Sequence, residues 1–398
     1  MSSDGQHAAA ALQDEAATRG PGTASAGLAG PVRGWLRLPQ RGKSGSKVLS
    51  VQYLRGVAAI AVLVYHSGTD ARWANVWPLK GFGAGVDVFF VISGFIMWVT
   101  TAGRGMGPRE FWRRRAERIV PLYWMVTTLA VLVAVVSTHY GGKTNPWHVI
   151  SSFLFLPANN PQTHNLEPLV SPGWTLNYEM FFYAIFGSFL VVSARRRFVG
   201  IAVVLGGLVI AGGVITAHFV PLEFYGNSLV LEFVFGMALG ALFSARRLRL
   251  PRGVAWAGFA LGFILLGAID SVHTVAPVIA LGIPATIIVG SALCLEQTGI
   301  REWRIPELLG DASYSIYLAH GIFLDALKAV YFKTSLPSVG FFVLGIAGSI
   351  CFGVGVYLFI EAPLTARIQA ARRSAHRPPA SDFVVAEVVA ADAAHVAN

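Results

Sequence analysis

Two neighbouring stretches, LRGVAAIAVLVYHSG at Leu54–Gly68 and FGAGVDVFFVISGF at Phe82–Phe95, decide the fold. Each supplies most of a membrane-crossing helix, which needs about 20 apolar residues to pass ~30 Å of hydrocarbon. Each also carries groups that hydrocarbon penalises, Arg55 and His66 in the first and Asp87 in the second. A charged side chain at mid-membrane costs about 2.5–3.5 kcal/mol on insertion scales, so its retention there points to a function.

Composition extends this reading to the whole chain. Of 398 residues, 54% are hydrophobic and 13% charged, and the mean hydropathy is +0.58. A soluble domain carries about 25% charge, so the fold class predicted is an all-α, polytopic integral membrane protein. The net charge of +10 does not point to nucleic acid, because the basic residues fall in short clusters between apolar runs, where they orient helices against a membrane. Both cysteines, Cys294 and Cys351, lie within apolar runs and build neither a disulfide framework nor a CxxC metal site.

Residues 1–49 are rich in Ala, Gly and Ser and end in a basic run that includes Arg33, Arg37, Arg41, Lys43 and Lys47. They lack the apolar core and small-residue cleavage site of a secretory signal and read as a disordered cytoplasmic extension. Residues 50–362 form the expected membrane domain, and 363–398 a basic, disordered cytoplasmic tail. About ten crossings are predicted, at roughly 52–68, 83–101, 119–138, 174–193, 198–217, 229–244, 253–270, 276–295, 312–332 and 339–360. Every second loop is basic: Arg104, Arg109 and Arg113–Arg115 with Arg118, then Arg195–Arg197, then Arg246–Arg252, then Arg301 and Arg304, then Arg367, Arg372, Arg373 and Arg377. These loops and both termini are therefore expected in the cytoplasm. In the longest outward loop, 139–173, Trp147–Pro157 reads as an apolar segment lying in the interface. No internal repeat, such as many transporters carry, is visible.

Arg55 and His66 are eleven residues apart, nearly three helical turns, so they share a face about 16 Å apart along the axis. On the predicted orientation His66, Asp87 and Glu179 lie at similar depth in the outer half of the membrane. A carboxylate that fixes a histidine's tautomer leaves the other ring nitrogen free to accept a proton from an attacking hydroxyl. The plainer alternative has His66 hydrogen-bonding interfacial water. In FWRRRAERIVP (Phe111–Pro121), Arg114, Arg115 and Arg118 make one guanidinium face if helical. Such forks suit phosphates and, with Arg55, could hold a phosphorylated donor; simple anchoring at the membrane surface is the competing reading. His320, three residues after Tyr317, either lines a substrate cavity or packs as a satisfied polar group, and Glu232 is equally open. Asp325 and Lys328 form a local ion pair on the simplest reading. GFGAGVD (Gly81–Asp87) lacks both the preceding strand and the GxGxxG spacing of a dinucleotide loop. His139, His148 and His164 lack metal-ligand spacing, so no metal is expected.

Arg55 and His66, GVDVFFVISGF (Gly85–Phe95), FWRRRAERIVPLYW (Phe111–Trp124), WTLNYEMFFYAIF (Trp174–Phe186) and GDASYSIYLAH (Gly310–His320) together resemble the acyltransferase 3 family of bacterial membrane acyltransferases. Within it, the exopolysaccharide-production acetyltransferases are most similar. The resemblance covers roughly 50–362. It implies O-acylation, usually O-acetylation, of a surface polysaccharide or its lipid-linked oligosaccharide precursor at the bacterial inner membrane, with acetyl-CoA or another acyl-CoA as donor and no tightly bound cofactor. Its motifs map onto Arg55 and His66, Asp87, Arg114, Arg115 and Arg118, and Trp174 and Glu179. With the residue chemistry above, the expected catalytic residues are His66, Asp87 and Glu179, the donor-binding residues Arg55, Arg114, Arg115 and Arg118, and the substrate-binding residues Trp174, Tyr317 and His320. The chain stops soon after the last apolar run, without the fused extracytoplasmic domain of many members. The rival expectations are a transporter or flippase of a lipid-linked sugar, and a sensor without turnover.

Overall fold

The computed structural model describes residues 47–71, 79–103, 105–136, 145–215, 219–268, 276–334 and 337–375. The basic run before Lys47, Arg104, His139 and the tail beyond Ala375 lie outside them. Among the described residues there is no strand, only an isolated bridge between Asn159 and Leu166. The fold is all-α, and the residues from Val48 onward form one compact unit.

The helices follow the apolar runs. They are α1 (Leu49–Asp70), α2 (Gly85–Thr101), α3 (Pro108–Val136), α4 (Pro146–Phe153), α5 (Trp174–Ser188), α6 (Ala194–Val214), α7 (Val220–Tyr225), α8 (Leu231–Ser244), α9 (Arg252–Ala268), α10 (Ile283–Glu296), α11 (Arg304–Asp311), α12 (Ser313–Tyr331), α13 (Ser338–Val356) and α14 (Ala362–Ala375). Each of the ten predicted stretches coincides with one of them. By length and composition, six helical segments are suited to cross a membrane: Leu49–Asp70, Gly81–Thr101, Pro108–Val135, Ala194–Val214, Val278–Glu296 and Ser338–Arg372. Along α6, Val203, Ile210 and Val214 are two-thirds or more exposed. Such a surface is stable against lipid tails, which are as apolar as the side chains. Helix α4 spans eight residues and is too short to cross, as expected for Trp147–Pro157. Its start is fixed by Pro146 and by Asn145, whose side chain accepts from the His148 N–H at 2.7 Å.

Two helices outrun the hydrocarbon. The sequence reading placed FWRRRAER in a loop, yet α3 begins at Pro108 and runs 29 residues, about 43 Å. Arginine and glutamate are good helix formers, so hydropathy falls there while helicity persists. The same reason extends the last helix: after a π turn at Tyr357–Glu361, α14 carries it to Ala375 through ARIQAARRSA. Residues 363–375, expected as the start of a disordered tail, are therefore helical. The first turns of α3 and the last turns of α14 meet at an Arg372–Glu110 ion pair of 2.7 Å.

Small residues set the packing inside the bundle. A Cβ on Gly94 of α2 would strike the Phe233 carbonyl of α8, and one on Gly236 of α8 would strike the Val91 carbonyl of α2. The two backbones therefore touch, which is how helices associate in lipid without a hydrophobic driving force. Gly56 of α1 and Gly310 of α11 make a second contact of the same kind. Phe182 stacks on Phe233 with ring centroids 4.3 Å apart, and Phe90 lies 4.9 Å from Phe233, filling the centre of the bundle.

Candidate active site

The basic end of the bundle collects guanidiniums from α1 and α3. Arg115 and Arg118 sit three residues apart on α3, and with Arg55 of α1 they line a narrow cavity of about 100 Å³. Arg115 is stacked against Phe111 and Tyr183, its guanidinium carbon 5.6 and 5.9 Å from the two ring centres. Its Nε is buried and hydrogen-bonds no protein group. A buried, unsatisfied cationic donor beside a cavity suits an anionic ligand, since burial without a partner is costly.

Glu179 of α5 belongs to this same cavity. Its Oε1 accepts from Ser93 Oγ of α2 at 2.8 Å and from the Tyr183 hydroxyl, one turn along its own helix. Further in, the walls become apolar, with Val86, Phe89 and Ile92 from α2. At the far end stands Tyr317 of α12, whose hydroxyl lies 2.9 Å from Thr175 Oγ1 and donates to the Pro172 carbonyl at 3.1 Å.

The histidines lie just past Tyr317. The His320 ring centre is 6.1 Å from that of Tyr317 and 5.1 Å from that of His66 on α1. His320 is buried, and its Nδ1 donates to the Tyr317 carbonyl at 2.6 Å. That bond puts the proton on Nδ1 and leaves Nε2 available as an acceptor in the neutral ring. Half-buried His66 thus faces a second imidazole of fixed tautomer. One turn beyond it, Asp70 pairs with Lys328 of α12 at 2.9 Å.

Asp87 has a different neighbour. Its carboxyl is within hydrogen-bonding reach of the Glu232 carboxyl on α8. Both residues are buried. Neither Glu232 oxygen has a donor from elsewhere in the protein. Two carboxylates offer only acceptors, so a hydrogen bond between them takes one proton. Behind the pair Gly282 leaves room for Glu232, because a Cβ there would lie 2.9 Å from its Cγ.

The residues expected at one depth are thus distributed over three places. Arg55, Arg115, Arg118 and Glu179 share the cavity. Asp87 faces Glu232. His66 faces His320, with Tyr317 between that pair and the cavity. Arg114 turns away and bonds Glu110 at 2.6 Å. Trp174 packs edge-on against Phe90 and Tyr178, ring centres 6.4 and 5.8 Å away. Ser93, Tyr183 and the Glu232 partnership were not anticipated. A serine within ISGF, a tyrosine four residues after Glu179 and a glutamate in an apolar helix were the available signals. Among the described residues no group of three or more His, Cys, Asp or Glu side chains could hold a metal ion.

Membrane-length apolar helices around an arginine-lined cavity that ends near two imidazoles define an all-α membrane protein with an enclosed polar site. Comparison with known proteins gives the family. The acyltransferase domain model matches residues 48–358. The exopolysaccharide production protein ExoZ of Rhizobium meliloti is 36% identical over 300 residues, 73% of this chain and 92% of that protein. The peptidoglycan O-acetyltransferase OatA of Listeria monocytogenes is 25% identical over 80% of this chain, which spans only 56% of that relative's length. The acyltransferase MdmB of Streptomyces mycarofaciens is 24% identical over 68% of this chain and 77% of its own. No solved structure matches. The chain belongs to the acyltransferase 3 family and is a membrane acyltransferase.

Proposed function

We propose that this protein is an O-acetyltransferase that moves an acetyl or similar short acyl group from an acyl-CoA to a hydroxyl of an exopolysaccharide or its lipid-linked precursor. It would act in the bacterial inner membrane, with residues 50–362 carrying the reaction and the basic loops and both termini facing the cytoplasm. Similarity to ExoZ over nearly all of that protein's length supports the acceptor class. The observation that carries the reading is the cavity leading from Arg55, Arg115 and Arg118 to Tyr317, beside the two histidines. Arginine forks suit the donor's phosphates, and a narrow apolar passage suits its extended pantetheine arm.

In the reaction His66 takes the proton of the acceptor hydroxyl as that oxygen bonds to the thioester carbonyl carbon. The tetrahedral intermediate expels the thiolate, which receives the proton from the His66 imidazolium, leaving an ester and a free thiol. His320, held by the Tyr317 carbonyl and with its ring centre 5.1 Å from that of His66, packs against the base and so positions it. Glu179 and Tyr183 hold the cationic wall of the cavity. Asp87, through Glu232, positions α2 against α8. The test is surface glycan from cells making wild-type or His66→Ala protein, compared by mass spectrometry with purified protein assayed for acetyl-CoA consumption. The expected result is loss of acyl groups and of consumption in a variant that inserts normally. A fully acylated glycan from that variant would overturn the catalytic assignment.

A further inference from the structure

Helix α14 lies beyond residue 358, where the match to the family ends. It packs along the projecting first turns of α3 and encloses with them a groove of about 380 Å³. Arg114, Arg115 and Arg118 come from one wall, and Thr365, Gln369 and Arg372 from the other. Arg115 and Arg118 line this groove and also the cavity described above, so the two spaces are separated by the same pair of guanidiniums. At the groove's edge one carboxylate serves three arginines: Glu110 accepts from Arg113 at 2.5 Å, Arg114 at 2.6 Å and Arg372 at 2.7 Å. The charges do not cancel. Glu117, 3.8 Å from Arg113, is the one acid of the lining, against four arginines.

We propose that this groove binds the phosphorylated head group of the donor, an adenosine 3′,5′-bisphosphate unit, and that Glu110 is a placeholder which holds Arg114 and Arg372 until a phosphate displaces it. The inference rests on the acyl-CoA reading above and adds α14 to the donor site. A phosphate offers up to two charges and three acceptor oxygens where Glu110 offers one charge and two, so it competes for both guanidiniums at once. The side chains around Glu110 are 29–42% exposed. Exposed ion pairs are weak, so the placeholder yields readily. Ligand arrival would then exchange the bond tying α14 to α3 for one running through the phosphate.

The sign of one substitution separates a placeholder from a tether. Binding of adenosine 3′,5′-bisphosphate to full-length protein in phosphatidylcholine nanodiscs is measured for wild type, Arg372→Gln, Glu110→Gln and Arg118→Ala. Arg372→Gln is expected to weaken binding about tenfold, as loss of a charge-assisted hydrogen bond does. Glu110→Gln is expected to tighten it about two- to fivefold, because a competitor of surface ion-pair strength is gone. The KM for acetyl-CoA should follow both changes with kcat unaltered, and Arg372→Lys should restore part of the loss. Wild-type affinity in both groove variants, with binding lost in Arg118→Ala, would overturn the role of α14 and leave the donor reading intact. No binding to wild type would overturn the donor reading itself. A phosphate effect of Arg372 that emerges only when anionic lipid replaces phosphatidylcholine would assign the groove to lipid headgroups and also overturn the proposal.

Discussion

At the basic end of the bundle, Arg55, Arg114, Arg115, Arg118 and Arg372 come from three helices, two of them, Arg114 and Arg372, partly exposed and paired with the one acid Glu110. Past Tyr317, outside the cavity lining, two imidazoles meet 5.1 Å apart, one of them buried and fixed by a backbone carbonyl. The first arrangement spreads its charge over many side chains, so the loss of any one leaves the others in place. The second concentrates its chemistry in one pair of rings. On the proposed function, the first would hold a large charged donor and the second would move one proton, and the variants below test that division.

The sharpest break comes from His66→Ala. Removing a general base costs about 10²–10⁴-fold in rate, so kcat should fall that far while donor affinity stays near wild type. His320→Ala should lower kcat by about 10–100-fold with the KM for acetyl-CoA unchanged, because it acts through His66. A KM rise in that variant would move His320 to the donor side of the comparison. Arg115→Ala should do the reverse, raising KM about tenfold with little change in kcat. The smallest effect is expected at the carboxyl pair, and on stability. Asp87→Ala leaves Glu232 buried without a partner, at a cost of about 1–3 kcal/mol seen as earlier thermal unfolding in detergent, whereas Asp87→Asn supplies a donor and should be nearly neutral. Equal destabilisation by both would show that the two carboxyls do not share a hydrogen bond.

Much of the fold was legible in the apolar runs, because a helix that crosses lipid needs both length and low polarity, and few other segments have both. What hydropathy could not show was where helices continue past the membrane: FWRRRAER in α3 and ARIQAARRSA in α14 are rich in good helix formers while their hydropathy is low. Of the site, the residue types were readable and their partnerships were not. Placing Glu179 and Asp87 at the depth of His66 used the position along each helix and left its rotation unknown. Glu179 turned toward Ser93 and Tyr183, where hydroxyls are available to donate. Asp87 turned toward Glu232, 145 residues away, a pairing that no local pattern encodes. The sequence places His320 one turn from Tyr317, yet its proximity to His66 depends on how α1 and α12 pack.

The glycines of α2 and α8 bear on the second of these pairings. Gly94 and Gly236 bring the two backbones into contact, and Gly240 does the same for the Trp98 side chain one turn on, so the helices run parallel in one fixed register. Asp87 precedes Gly94 by two turns and Glu232 precedes Gly236 by one. The three hydrogen-only positions therefore act as a ruler: they set the gap between the two acids. A methyl group added at any of them would lengthen that gap, and the damage would be felt by carboxyls that the altered residue never touches.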